Sequence, residues 1–163
     1  MIEKNYRKTV AIFGGTGFIG EEIVQHLSKN SYRIKIAHFA RFEMGILKYY
    51  LNVKMENIYC TKIASKLART YTDKHGLYDI TKELLNITLN KSQQSSDWGL
   101  KNLSEEQKQY AALDVLHLHK LKEKLDLMLK REKRDQLAKR CFDFLSTRSE
   151  LDLNGWDEDI FSH

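Results

Sequence analysis

The stretch Leu103–Lys130 (LSEEQKQYAALDVLHLHKLKEKLDLMLK) constrains the fold most. Ser104-Glu105-Glu106-Gln107 is a capping-box pattern: Ser104 can cap the Gln107 amide, and the Gln107 side chain can reach back. Tyr110, Ala111, Asp114, Leu118, Leu121, Leu125 and Met128 follow at three- and four-residue steps, so one long helix, Ser104–Lys130, would carry them on one face. That face is apolar except at Tyr110 and Asp114. A carboxylate on a buried face is costly unless it is hydrogen-bonded, paired or bound to metal. Asp114 is therefore either a buried residue bonding a neighbouring loop or a metal ligand, and spacing alone leaves both open.

The surrounding residues add a resemblance. Lys91–Gly99 (KSQQSSDWG), Leu103-Ser104, Gln107 and Tyr110–Val115 (YAALDV) together resemble the ribonuclease D family, 3′→5′ exonucleases of the DEDD superfamily whose third motif is Tyr-x-x-x-Asp. His38–Glu43 (HFARFE), Cys60–Leu77 and the tail Thr147–His163 belong to the same resemblance, which runs from about Ile36 to the end. It is nearest the short bacterial members and reads as N-terminally truncated.

That resemblance implies a ribonuclease-H-like α/β fold, here reduced and helix-rich, with about three parallel or mixed strands. It implies two divalent ions, Mg²⁺ or Mn²⁺, held by four carboxylates, and RNA 3′ ends as substrate. Carried over by position, Asp114 is the third-motif metal ligand and Tyr110 orients the attacking water. Glu43 stands where the family has its second-motif Asp. The longer side chain displaces that carboxylate, and near-octahedral Mg²⁺ tolerates such displacement poorly. The first motif, Asp-x-Glu, is absent: the acids before Glu43 are Glu3, Glu21 and Glu22. The resemblance also places His38, Arg41, Gln94 and Trp98 on the RNA-facing surface, although His38 could simply bond a strand end and Trp98 reads first as a core residue. The expected identity is thus a ribonuclease-D-like exonuclease with impaired or absent hydrolysis, or a non-catalytic RNA-binding remnant of one.

Upstream, Thr9–Phe13 is a β-rich run followed by Gly14-Gly15-Thr16-Gly17-Phe18-Ile19-Gly20. An amphipathic helix with Ile19, Ile23, Val24 and Leu27 on one face and a second strand, Tyr32–Ala37, complete a βαβ pattern. Gly14, Gly17 and Gly20 have the spacing that lets a pyrophosphate approach a helix N-terminus. Residues 9–36 resemble the start of extended short-chain dehydrogenases and epimerases, which makes an NAD(P)-binding protein the competing function. The adenosine half of such a cofactor lies across further parallel strands, and nothing after Ala37 continues that pattern. No acid ends the second strand to hold a ribose, so a structural glycine turn is the expected reading and NAD(P) is not an expected cofactor. The chain then divides into a Rossmann-like βαβ fragment, 1–36, and an exonuclease-like part, 37–163, joined as one compact domain.

The remaining elements read as helices at Phe42–Asn52, Thr61–Tyr71, Gly76–Leu85 and Asp135–Leu145, with a short strand at Asn57–Cys60. Met44, Leu47, Tyr50 and Leu51 are candidates for burial on the first of these. The tail from Ser146 is acidic, with Leu151, Leu153, Trp156, Ile160 and Phe161 as packing points. Charge bears on the partner: the net charge is +5 and the pI about 9.1, which suits a polyanion. No long apolar run suggests a membrane span. Cys60 and Cys141 form no disulfide or metal pattern, as expected of a cytoplasmic protein. His117 and His119 diverge on a helix and form no ligand pair.

Overall fold

The computed structural model describes residues 9–11, 34–90, 92–93, 95–97, 102–156 and 160, with only the backbone at 9–11 and at Asp114. Three strands, β1 (Thr9–Ala11), β2 (Ile34–Ala37) and β3 (Ile58–Cys60), form one sheet in the order β1-β2-β3. Both pairings are parallel, with Ala11 opposite Ile36 and Ile36 opposite Tyr59. Among the described residues, the expectation of about three parallel or mixed strands resolves to three parallel ones. The helices are α1 (Ala40–Leu51), α2 (Thr61–Ala68), α3 (Leu77–Leu85), α4 (Glu105–Leu116), α5 (Leu118–Arg131) and α6 (Asp135–Leu153).

A parallel sheet must be covered on both faces, and the alternation of β2 and β3 divides the core accordingly. Ile36 and Tyr59 lie in one cluster with Ala64 and Ala68 of α2, Ile80 of α3 and Leu118, Leu121, Leu125 and Leu129 of α5. Ala37 and Cys60 join Ala40, Met44 and Leu47 of α1 and Leu145 of α6 in the other. Phe142 packs against both clusters, its ring centroid 4.7 Å from that of Tyr59.

Three sequence expectations need correction. The helix expected over Ser104–Lys130 is two helices, broken at His117 (φ −99°, ψ −6°). No glycine or proline marks the break. It coincides with a change of environment: Leu118, Leu121, Leu125 and Leu129, at three- and four-residue steps, are in the core, whereas Gln107 is the only buried residue among the described side chains of α4. The face shared by Tyr110 and Leu118 in the sequence reading is therefore interrupted. The last helix does not stop at Leu145 but runs to Leu153, because buried Ser149 and the Arg148–Asp152 pair (2.7 Å) continue its pattern. Finally, Tyr50, Leu153, Trp156 and Ile160 are exposed rather than packed, while Leu151 is half-buried. Phe161 and the expected helix after the first strand lie outside the described residues.

Candidate active site

The second-motif segment begins where β2 ends. Parallel strands deliver their connections at the carboxyl edge of the sheet, where sites in such folds collect. His38 and Phe39 bridge β2 to α1, and Glu43 sits in the first turn of that helix. The Thr61 hydroxyl, at the start of α2, donates to the Ala37 carbonyl at 3.3 Å and lies 2.9 Å from His38 Nδ1. With the hydroxyl proton directed at Ala37, the network assigns the imidazole proton to Nδ1 and leaves Nε2 as an acceptor. Burial, reinforced by the nearby Lys62 ammonium, lowers the His38 pKa from 6.5 to about 4. At neutral pH His38 can accept a hydrogen bond but cannot supply positive charge to a phosphate.

That shift has a thermodynamic consequence. The unfolded chain takes up the His38 proton near pH 6.5, the folded chain only near pH 4. In that window the unfolded state binds more protons, so this contribution is present above pH 6.5 and is lost as the pH falls towards 4. Urea midpoints measured across the window should fall with this component, and His38→Gln should remove it.

Arg41 forms a two-pronged pair with Asp152, Nε to Oδ2 and Nη2 to Oδ1, both at 2.6 Å. Arg148 Nη2 adds a bond to Asp152 Oδ1 at 2.7 Å and another to the Trp156 carbonyl at 2.8 Å. These bonds hold the Asp152 carboxyl below the usual carboxylate range, the Arg41 bond being the main cause. The motif turn of α1 is thus clamped to the C-terminal end of α6, a connection the sequence did not signal.

Glu43 is half-buried and lines a small cavity with Lys35, Ala40, Met44 and Leu47. Lys35 is fully buried on the central strand, and burial lowers its pKa. When charged, an ammonium on the wall that Glu43 shares opposes a dication there.

The third motif rides on α4. The capping box is formed as read: the Gln107 amide donates to Ser104 Oγ at 3.2 Å and the Ser104 amide to Gln107 Oε1 at 2.8 Å. Gln107 Nε2 also donates to the Asp97 carbonyl at 2.9 Å and to Ser96 Oγ at 3.1 Å, fixing the preceding loop against the start of α4. Tyr110 is half-buried, and Asp114 lies four residues on, one turn along the same helix. The structure keeps His38, Arg41 and Glu43 together at the start of α1 and Tyr110 with Asp114 on α4. Gln94, Trp98 and the Asp114 side chain lie outside what is described, as do Gly14, Gly17 and Gly20. Among the described residues no three His, Cys, Asp or Glu side chains are grouped to hold a metal ion. Of the two acids that the resemblance assigns to the metal ions, Glu43 is the one whose side chain is described.

A family model described as 3′-5′ exonuclease matches residues 20–130. The chain belongs to the ribonuclease-D-like 3′-5′ exonuclease family. Among solved structures, this exonuclease-family chain is similar to Brucella melitensis NrnC, with 50% identity and a TM-score of 0.83 over 86% of this chain and 68% of that one. Other structures of NrnC contain bound Mg²⁺ or are bound to pGG. Aquifex aeolicus DNA polymerase I is 31% identical over 143 residues, 77% of this chain and 24% of that protein. Gluconacetobacter diazotrophicus ribonuclease D is 32% identical over 101 residues, 62% of this chain and 25% of that protein. The chain thus spans about a quarter of the length of these two curated relatives.

The likeness of residues 9–36 to dehydrogenases is not borne out, since the exonuclease model already matches from residue 20, inside that segment. A strand, a glycine turn and a parallel strand are generic to α/β folds and carry no cofactor by themselves. Among the described residues no helix is long and apolar enough to cross a membrane.

Proposed function

We propose that this chain is an exonuclease domain directed at RNA 3′ ends, with hydrolysis impaired or lost. The observation that carries the proposal is the mismatch between family and carboxylates. The family match extends over residues 20–130, yet no Asp-x-Glu precedes Glu43 and a glutamate stands in the second motif. β1, the parallel neighbour of the strand that leads into HFARFE, is Thr9-Val10-Ala11 and contributes no carboxylate. Divalent ions, when bound in such enzymes, activate a water and stabilise the leaving oxygen. Glu43 and Asp114 are the ligands this chain would offer, with Tyr110 beside the water. Two acids cannot neutralise two dications as four would. The pairing of β1 with β2 also supports treating residues 1–36 and 37–163 as one domain, and the basic pI supports a polyanionic partner.

The test is shortening of a 5′-labelled RNA by purified protein with Mg²⁺ or Mn²⁺. The RNA is expected to stay full length, and Glu43→Asp alone should not restore shortening, because the first motif is still missing. A stepwise ladder from the unaltered protein, abolished by Asp114→Asn, would overturn the impairment.

A further inference from the structure

An open groove of about 510 Å³ runs between α2 and α6, with Phe39 at its edge. Its volume falls within the range of about 300–1,000 Å³ that ligand sites occupy. Lys62, Lys66 and Arg140 line it, together with Arg41 and Arg148, and no carboxylate is among the described side chains that line it. Arg41 and Arg148 are held by Asp152 behind the rim. The other three cations make no ion pair with a described acid, so the described lining of the groove is net positive.

Two rings stand in the same groove: Phe39 is 46% and Phe144 40% exposed. Phe39 has left-handed backbone angles, φ 62° and ψ 44°. For a bulky residue that conformation costs on the order of 1–3 kcal/mol. It presents the ring outward, with Lys62 Nζ 4.0 Å from its centroid. Strain of this kind persists where a side chain has a task beyond packing. Phe39 is also the residue after His38 in the second-motif segment, so the groove is continuous with the candidate site.

Cations beside exposed rings are the chemistry of single-stranded nucleic acid binding: cations track the phosphates and rings stack on bases. We propose that this groove binds the RNA strand beyond its 3′ end, with Lys66 and Arg140 on phosphates and Phe144 stacking a base. The proposal rests on the RNA reading given above. An acidic polypeptide would satisfy the charge but would give the two exposed rings no stacking partners.

The test is fluorescence anisotropy of a labelled short oligoadenylate in EDTA, where no hydrolysis intervenes. The double variant Lys66→Gln/Arg140→Gln should lower the log–log salt slope by about 1.4, since each single-strand phosphate contact contributes about 0.7. Phe144→Ala should weaken binding roughly tenfold with the slope unchanged. Lys124→Gln, an exposed charge on α5, should alter neither. RNA binding that is unchanged in both groove variants would overturn the groove and leave the RNA reading intact. No RNA affinity in the unaltered protein would overturn both. Displacement of the RNA by poly-glutamate at equal charge concentration would show that the occupant is an acidic polypeptide and overturn the proposal as stated.

Discussion

Leu125→Ala is expected to destabilise the fold by about 2–5 kcal/mol, the range for truncating a buried leucine where neighbours cannot close the gap. Leu125 is fully buried at the middle of α5, with Leu121 and Leu129 one turn to either side. All three belong to the cluster that covers one face of the sheet through Ile36 and Tyr59. That face is held by α2, α3 and α5 together, so a cavity at Leu125 opens inside the cluster that they share. For a domain of this size such a loss lowers the melting temperature by roughly 10 °C. Leu127→Ala, on the same helix but 66% exposed, should stay within about 0.5 kcal/mol. Urea unfolding of both variants checks the contrast, and a loss below about 1 kcal/mol at Leu125 would mean that α5 is not seated on the sheet.

The second large effect is expected at Glu83. The Arg69 side chain has 0% exposure while Glu83 has 43%. Arg69 Nε donates to Glu83 Oε1 at 3.1 Å, Nη2 to Oε2, and Nη1 to the Lys74 carbonyl at 2.7 Å and Ser65 Oγ at 2.9 Å. Tyr71 donates to the same carboxylate at 2.6 Å. Removing one partner of a buried pair leaves the other charge uncompensated, at about 3–5 kcal/mol. Water reaches Glu83, so Glu83→Gln should cost less, about 1–3 kcal/mol for hydrogen bonds to a charged group. This still exceeds what exposed pairs such as Lys108–Glu105 contribute. The Arg69 bonds hold the Glu83 carboxyl below its ordinary value of 4.5. Its contribution is therefore present above pH 4.5 and is lost as the pH falls through the lower folded value. Unfolding free energies measured on the acid side should show that slope in the unaltered chain and a smaller one in Glu83→Gln.

Local chemistry was the legible part of this sequence. The capping box at Ser104 and Gln107 is a rule about four adjacent residues, and the structure forms it bond for bond. The burial of Met44 and Leu47 followed from helical spacing. Where the reading failed, tertiary context decided. Residues 104–130 repeat at a helical period throughout, so nothing local announced that the chain would turn at His117. Tyr50 shares the period of Met44 and Leu47, yet α1 is covered on too narrow a face to include it. The sequence reading ended the last helix at Leu145, but it continues to Leu153 and brings Asp152 to Arg41, 111 residues away in sequence. The candidate site divides the same way. The family resemblance singled out His38, Glu43, Tyr110 and Asp114, while the Asp152 clamp and the groove lined by α6 depend on packing that no short pattern encodes.

The break at His117 gives the third motif its own mechanical unit. α4 is joined to the well-buried α5 only through a kink and anchored at its other end by Gln107, with little apolar surface buried along its described length. Elements of that kind open without the rest of the domain. Backbone amides of residues 105–116 should therefore exchange with deuterium at low protection while those of α5 exchange only on global unfolding. Tyr110 and Asp114 would then sit on a helix whose opening is a local equilibrium, so a ligand engaging them would be detected first as slowed exchange along α4, before any change in the melting of the whole chain.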